Sequence, residues 1–151
     1  MNYLEDFAAG MTFRSPELEV SAEQIISFAG EFDPQPFHLD PSAARTSFFG
    51  TLVASGWHTA ALTMRLLLAS DLAIAGGIVG AGGQISWPTA LQPGDRIHVE
   101  IEVTATRPLR SRDDLGMITT RSRTLTNAGT VVQELVANLI VPRRNAAAAA
   151  T

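Results

Sequence analysis

The sequence contains no cysteine, which excludes disulfides, thiolate metal sites and a cysteine nucleophile. Charge is also scarce, with 17% charged residues against 46% hydrophobic. That balance suits a globular chain that covers part of its own surface with a partner subunit. The formal net charge is −4, so the basic footprint of a nucleic-acid-binding protein is missing. The opening stretch MNYLEDFAAG carries acids and has neither a basic nor a long apolar region, so no secretory signal is expected and a cytoplasmic location is. The longest apolar stretch, from Ala60 to Ile78, is interrupted by Arg65 and Asp71. A membrane-spanning helix needs about 20 nearly uncharged residues, so this stretch is read as a core helix and no membrane partner is expected. Neither an internal repeat nor a Pro/Ser/Gly linker divides the 151 residues. One domain over residues 1–142 is expected. The Ala-rich remainder, 143–151, has no apolar pattern and is expected to be disordered.

What is present reads first as helices and then as strands. Ser21 with Gln24 has the form of a capping box ahead of Ile25, Ile26 and Phe28, a helix expected to end near Gly30. Asp40-Pro41 suits the start of a second, short helix. A third is expected from Gly56 to Ala75, apolar on most sides and therefore wrapped by other structure. After Gly76-Gly77 the texture changes. Ile97, Val99, Ile101 and Val103 alternate with Arg96, His98, Glu100 and Glu102, the period of a half-buried strand, which puts His98 on the solvated face. Strands are also expected at 78–87, 117–125 and 131–141. Thr126 to Gly129 makes a hairpin turn, Gly82-Gly83 a bulge or close backbone approach, and Pro16 breaks an edge strand over residues 11–20. An antiparallel sheet curled around one long apolar helix is the α+β hotdog fold, and its exposed edges favour pairing with a second subunit.

Chemistry concentrates in two short stretches. In EFDPQPFHLDP, residues 31–41, Asp33 and His38 are separated by Pro34 and Pro36, which stiffen the segment and set its side chains without helical spacing. A turn former and a satisfied histidine would explain the same residues, since Asp-Pro pairs are common in turns. Asp40 reads as a helix cap. In Ser55-Gly56-Trp57-His58 the long helix begins, where backbone N–H groups lack partners and carry partial positive charge. Gly56 N–H there could meet a developing oxyanion, or Gly56 could simply allow close packing. A proton-handling pair beside an oxyanion donor is what an enzyme acting next to a carbonyl requires.

The run Phe28 to Pro41, followed by Ser55 to His58, resembles the MaoC-like dehydratases, relatives of the (R)-specific enoyl-CoA hydratases. Their D-x-N-P-x-H-x-D signature is matched by Asp33, Pro36, His38 and Asp40, and Trp87 and Pro93-Gly94-Asp95 fall in corresponding places. The resemblance spans residues 3–141. It implies a hotdog homodimer or dimer-based oligomer acting on an acyl-CoA thioester, with reversible syn addition of water to a trans-2-enoyl-CoA to give a 3-hydroxyacyl-CoA. It further implies that Asp33 and His38 bind the catalytic water, that Gly56 N–H faces the thioester oxygen, and that neither metal nor cofactor takes part. Two positions depart from the family: Gln35 replaces the motif's Asn, and Met64 stands where relatives carry a serine on the central helix.

Other residues admit two readings. Ser55 and Trp57 are candidates for substrate binding, and Arg110 and Arg112, in the one dense basic cluster, for a CoA phosphate. The adjacent Asp113-Asp114 could neutralise that cluster instead. Phe48, Phe49 and Trp57 would wall an acyl pocket or fill the core under the helix. His58 would face the site or bond within its helical turn. A metal set of Asp33, His38, Asp40 and His58 matches no helical ligand spacing. Besides the hydratase, a hotdog thioesterase and a non-catalytic acyl-CoA-binding or partner subunit are the alternatives.

Overall fold

The computed structural model describes residues 1–144, so the expected disorder from residue 145 onward lies outside the described residues. Arg143 and Arg144, also placed in that tail, are instead tied to Glu5 and Asp6 of a short 3-10 turn, Leu4–Asp6.

Helix α1 spans Ala22–Phe32. Its capping box forms as expected, with Ser21 Oγ accepting Gln24 N–H at 3.2 Å and Gln24 Oε1 accepting Ser21 N–H at 2.9 Å. The helix passes Gly30 and stops only at Asp33, whose N–H still bonds Ala29 O at 2.9 Å. Pro34 follows, and a residue before proline is driven out of helical geometry; Asp33 accordingly has φ −153° and ψ 67°. The proline segment is not wholly extended. Pro36 occupies the first position of a helical turn, α2, Pro36–Leu39, a place where its missing N–H is no loss. Asp40 ends that turn and caps α3, Pro41–Ala44, by accepting Ser42 N–H at 2.9 Å.

Helix α4 spans Gly56–Leu68 and does not reach Ala75. Ser70 Oγ donates to Leu67 O at 2.6 Å, competing with the helical ladder. Beyond it, Asn2 takes the carbonyls of Leu72 and Ala73. Nor is α4 wrapped on most sides in the single chain. His58, Thr59, Thr63, Leu66 and Leu67 pack inward, while Trp57, Met64 and Leu68 are exposed.

The strands are β1 Thr12–Arg14, β2 Leu18–Glu19, β3 Val79–Ser86, β4 Arg96–Pro108, β5 Leu115–Thr126 and β6 Val131–Pro142. They form one antiparallel sheet in the order β1-β4-β5-β6-β3, with β2 also paired to β4. Pro16 separates β1 from β2, and Gly129, at φ 84°, turns the β5–β6 hairpin. β3 is an edge with a register shift between Gly80 and Gly82. A Cβ on Gly83 would lie 2.3 Å from Val136 O, the close backbone approach expected of that glycine pair. Ile97, Val99, Ile101 and Val103 are buried. β4 continues to Pro108, where the alternation is lost because residues 104–108 are exposed on both faces.

His98 corrects the period-two reading. It is 7% exposed, because Leu125 stands opposite it on β5 and the β1–β2 segment runs alongside β4. Its Nε2 lies 3.4 Å from Glu100 Oε1, and its buried Nδ1 has no partner.

Candidate active site

A cleft of about 470 Å³ opens where α2, the N-terminus of α4 and the end of β3 meet. Residues 52–55 lead into α4 as an extended strip, with Val53 N–H bonded to Phe37 O at 3.1 Å and Ala54 N–H to Leu91 O at 2.8 Å. This strip fixes α4 against α2, and so holds Gly56 beside His38. A larger hollow, about 570 Å³, lies elsewhere, over β1, β4 and β5. Within its lining Arg123 pairs with Glu100 at 3.2 Å, and it includes none of the expected site residues.

His38 is 5% exposed. Its Nδ1 lies 2.7 Å from Val53 O. A carbonyl can only accept, so Nδ1 carries the hydrogen and Nε2 is left for exchange. Nε2 faces Asp33 Oδ2 at 3.3 Å. In the neutral-histidine, ionised-aspartate state both facing atoms are acceptors, an arrangement that a water molecule bridges by donating to each.

Asp33 is held ready as a carboxylate. Burial alone would raise its pKa, but the neighbouring Ser55 hydroxyl and the Gln35 amide, with His38 nearby, keep it below the usual value. Gln35 Nε2 donates to Oδ1 at 2.6 Å. The departure from the family motif is therefore bonded directly to the acid of the pair.

Ser55 is fully buried. Its hydroxyl accepts Trp57 N–H at 3.2 Å, capping α4, and helps hold the Asp33 pKa down. With no exposed surface and no place in the cleft lining, Ser55 does not present its hydroxyl to the cleft, as the substrate contact expected from the sequence would require. Gly56 opens α4 with the indole of Trp87 against its Cα; an added Cβ would sit 2.7 Å from two ring atoms. Both readings of this glycine thus apply, since it permits close packing and also borders the cleft. Among the described residues no acceptor is paired with Gly56 N–H.

Trp57 stands at the rim, 61% exposed, with its ring 5.2 Å from that of Trp87. Phe48 and Phe49 also line the cleft and do not fill the core, because residues 45–51 form an exposed turn on that side. His58 leaves the site: it stacks on Phe28 of α1 at 4.6 Å and 7°, and burial lowers its pKa. Its Nδ1 has no partner, so the expected bond within the helical turn is absent at that atom. The four-residue metal set is not assembled, since Asp40 caps α3 and His58 faces α1. Arg110 and Arg112 do not join the cleft either. They lie in the β4–β5 turn, at the far end of β4 from Leu91, roughly 35 Å along the strand, and Arg112 pairs with Asp114. Trp87 emerges as a wall of the site, and the backbone carbonyl of Val53 as the partner of His38. A carbonyl leaves no signal in residue identity.

The chain is similar to several known proteins. The model of the MaoC like domain matches residues 6–125. A crystal structure of a MaoC-like dehydratase from Rhodospirillum rubrum is 54% identical, superposes with a TM-score of 0.93, and is covered over 99% of its length by 95% of this chain. The (R)-specific enoyl-CoA hydratase of Aeromonas caviae is 34% identical over 119 residues, 78% of this chain and 85% of its own. An uncharacterised Bacillus subtilis protein, YdeM, is 33% identical over 119 residues, 77% of this chain and 82% of its own.

Proposed function

The chain belongs to the family of MaoC-like dehydratase domains, and from that membership and the cleft we propose that it is a hydro-lyase adding water to, or removing it from, an acyl-CoA thioester. The observation that carries this reading is the Asp33–His38 pair. His38 Nδ1 is committed to Val53 O, while Nε2 and Asp33 Oδ2, 3.3 Å apart, border the cleft from which one water would contact both.

In the hydration direction, that water gives up a proton to the pair as its oxygen attacks Cβ of a trans-2-enoyl thioester. A proton is then delivered to Cα, and syn addition follows because the pair serves both carbons from one side. Positive charge would build on His38 during the first transfer, and the ionised Asp33 offsets it. Charge on the thioester oxygen would develop against Gly56 N–H, at the positive end of α4, without solvent reorganisation. Ser55 and Gln35 supply no proton in this scheme; they orient the carboxylate.

The active form is proposed to be a homodimer or a dimer-based oligomer, built from one domain over residues 1–142. The free β3 edge and the exposed Trp57, Met64 and Leu68 of α4 support it, as surfaces that a second copy would cover. Among the described residues no helix is long and apolar enough to cross a membrane.

Turnover tests the scheme. Purified protein should hydrate members of a panel of trans-2-enoyl-CoA thioesters, and Asp33→Asn and His38→Ala should each reduce kcat by about 10²–10⁴-fold. Full activity in both variants would remove the assignment. Release of free CoA thiol would instead mark a thioesterase, and tight binding without turnover a binding subunit.

A further inference from the structure

Two hollows lie along the inner face of the sheet. The first is the cleft, bounded by Thr59 of α4, Trp87 after β3, and Val132 at the start of β6. The second, about 310 Å³, is lined by Met64 and Leu67 of α4, Ile85 of β3 and Leu135 of β6, with Ser122 of β5 on its floor. The two share no lining residue. What separates them is a polar layer. One turn along α4 from Thr59, the hydroxyl of Thr63 lies 2.6 Å from that of Thr124. Gln133, paired with Thr124 across β5 and β6, accepts a 3.0 Å hydrogen bond from Trp87 Nε1. Trp87 follows Ile85 by two residues and so projects to the same face.

Gln133 is 1% exposed, and its Nε2 has no partner. An apolar side chain in its place would carry no unpaired buried donor. The one bond its amide makes fixes the indole of Trp87, which is pressed at the same time against Gly56. The ring is thereby held from two sides, on the wall of the cleft that faces toward the apolar groove.

We propose that Trp87, held by Gln133, is the stop that sets acyl length. The cleft takes a short acyl group whose far end meets the indole, and the apolar groove beyond is closed to longer chains. This inference rests on the acyl-CoA reading of the site.

Calorimetric titration of the full chain with butyryl-CoA and octanoyl-CoA tests it without turnover, since both are saturated. The wild type should bind butyryl-CoA at least about tenfold more tightly than octanoyl-CoA. Trp87→Leu, and independently Gln133→Met, which keeps nearly the same volume, should each shift that ratio about tenfold toward octanoyl-CoA. Equal affinities in the wild type, or an unchanged ratio in variants that fold, would overturn the stop alone. If the wild type binds no acyl-CoA, the functional reading fails and the stop fails with it.

Discussion

Replacing Ser55 by alanine removes two interactions made by one buried hydroxyl. The first is the cap on α4, in which Ser55 Oγ accepts Trp57 N–H at 3.2 Å; losing such a cap costs about 1 kcal/mol. The second is the support it gives the Asp33 carboxylate, whose pKa it lowers; a polar group serving a charged one contributes about 1.5–3 kcal/mol. Together they come to about 2.5–4 kcal/mol, and at roughly 2–4 °C per kcal/mol for a domain of this size the melting temperature should fall by about 5–15 °C. The second part depends on pH. Asp33 has a folded pKa held below its ordinary value, so it adds stability above the unfolded pKa and loses it as pH falls through the folded one. The gap between wild type and Ser55→Ala should therefore be widest at neutral pH and narrow below about pH 4 toward the contribution of the cap. Denaturant unfolding at pH 7 and in steps down to pH 3 measures both. A loss below about 1 kcal/mol at pH 7, or a gap that does not change with pH, would refute the double role of Ser55.

Gly56→Ala should destabilise by about 1–3 kcal/mol, because its Cβ would stand 2.7 Å from Trp87 ring atoms. The loss should shrink in a Trp87→Ala background; equal losses in both backgrounds would contradict the contact. Gln35→Leu removes the 2.6 Å bond to Asp33, so the acid limb of the hydration pH profile should move to higher pH, and an unmoved limb would count against Gln35 as a support of the carboxylate. His98→Leu replaces a buried ring whose Nδ1 lacks a partner. Thermal unfolding should show it neutral or stabilised by about 1 kcal/mol, and a loss above that would mean that the 3.4 Å approach to Glu100 is a stabilising bond.

Much of this architecture was legible because local chemistry and tertiary role coincide. Ser21 with Gln24 caps α1, Asp40 caps α3, and Gly129 turns the last hairpin; each depends on residues within a few positions of itself. Asp33 and His38 were legible for a related reason. Pro34 and Pro36 dictate where α1 stops and α2 starts, and that places both side chains on one side of the turn. What was misread depends on distant chain. α4 stops at Leu68 in part because Asn2 reaches across to Leu72 O and Ala73 O, a pairing that hydropathy around residue 70 does not contain. His98 has the alternation of an outer position, but the β1–β2 segment runs beside it. Ser55 looked available to a substrate, yet it is fully buried and its hydroxyl caps α4 through Trp57 N–H. Gln35 looked like a loss of the motif, and proximity alone makes it a donor to the carboxylate.

The most direct test of the central claim is a crystal structure of the Asp33→Asn variant with crotonyl-CoA bound. A water is expected within hydrogen-bond reach of both His38 Nε2 and residue 33, on one side of Cβ, with the thioester oxygen about 2.7–3.1 Å from Gly56 N. An acyl group bound away from Gly56, or a water site near Cβ that His38 does not touch, would contradict the claim.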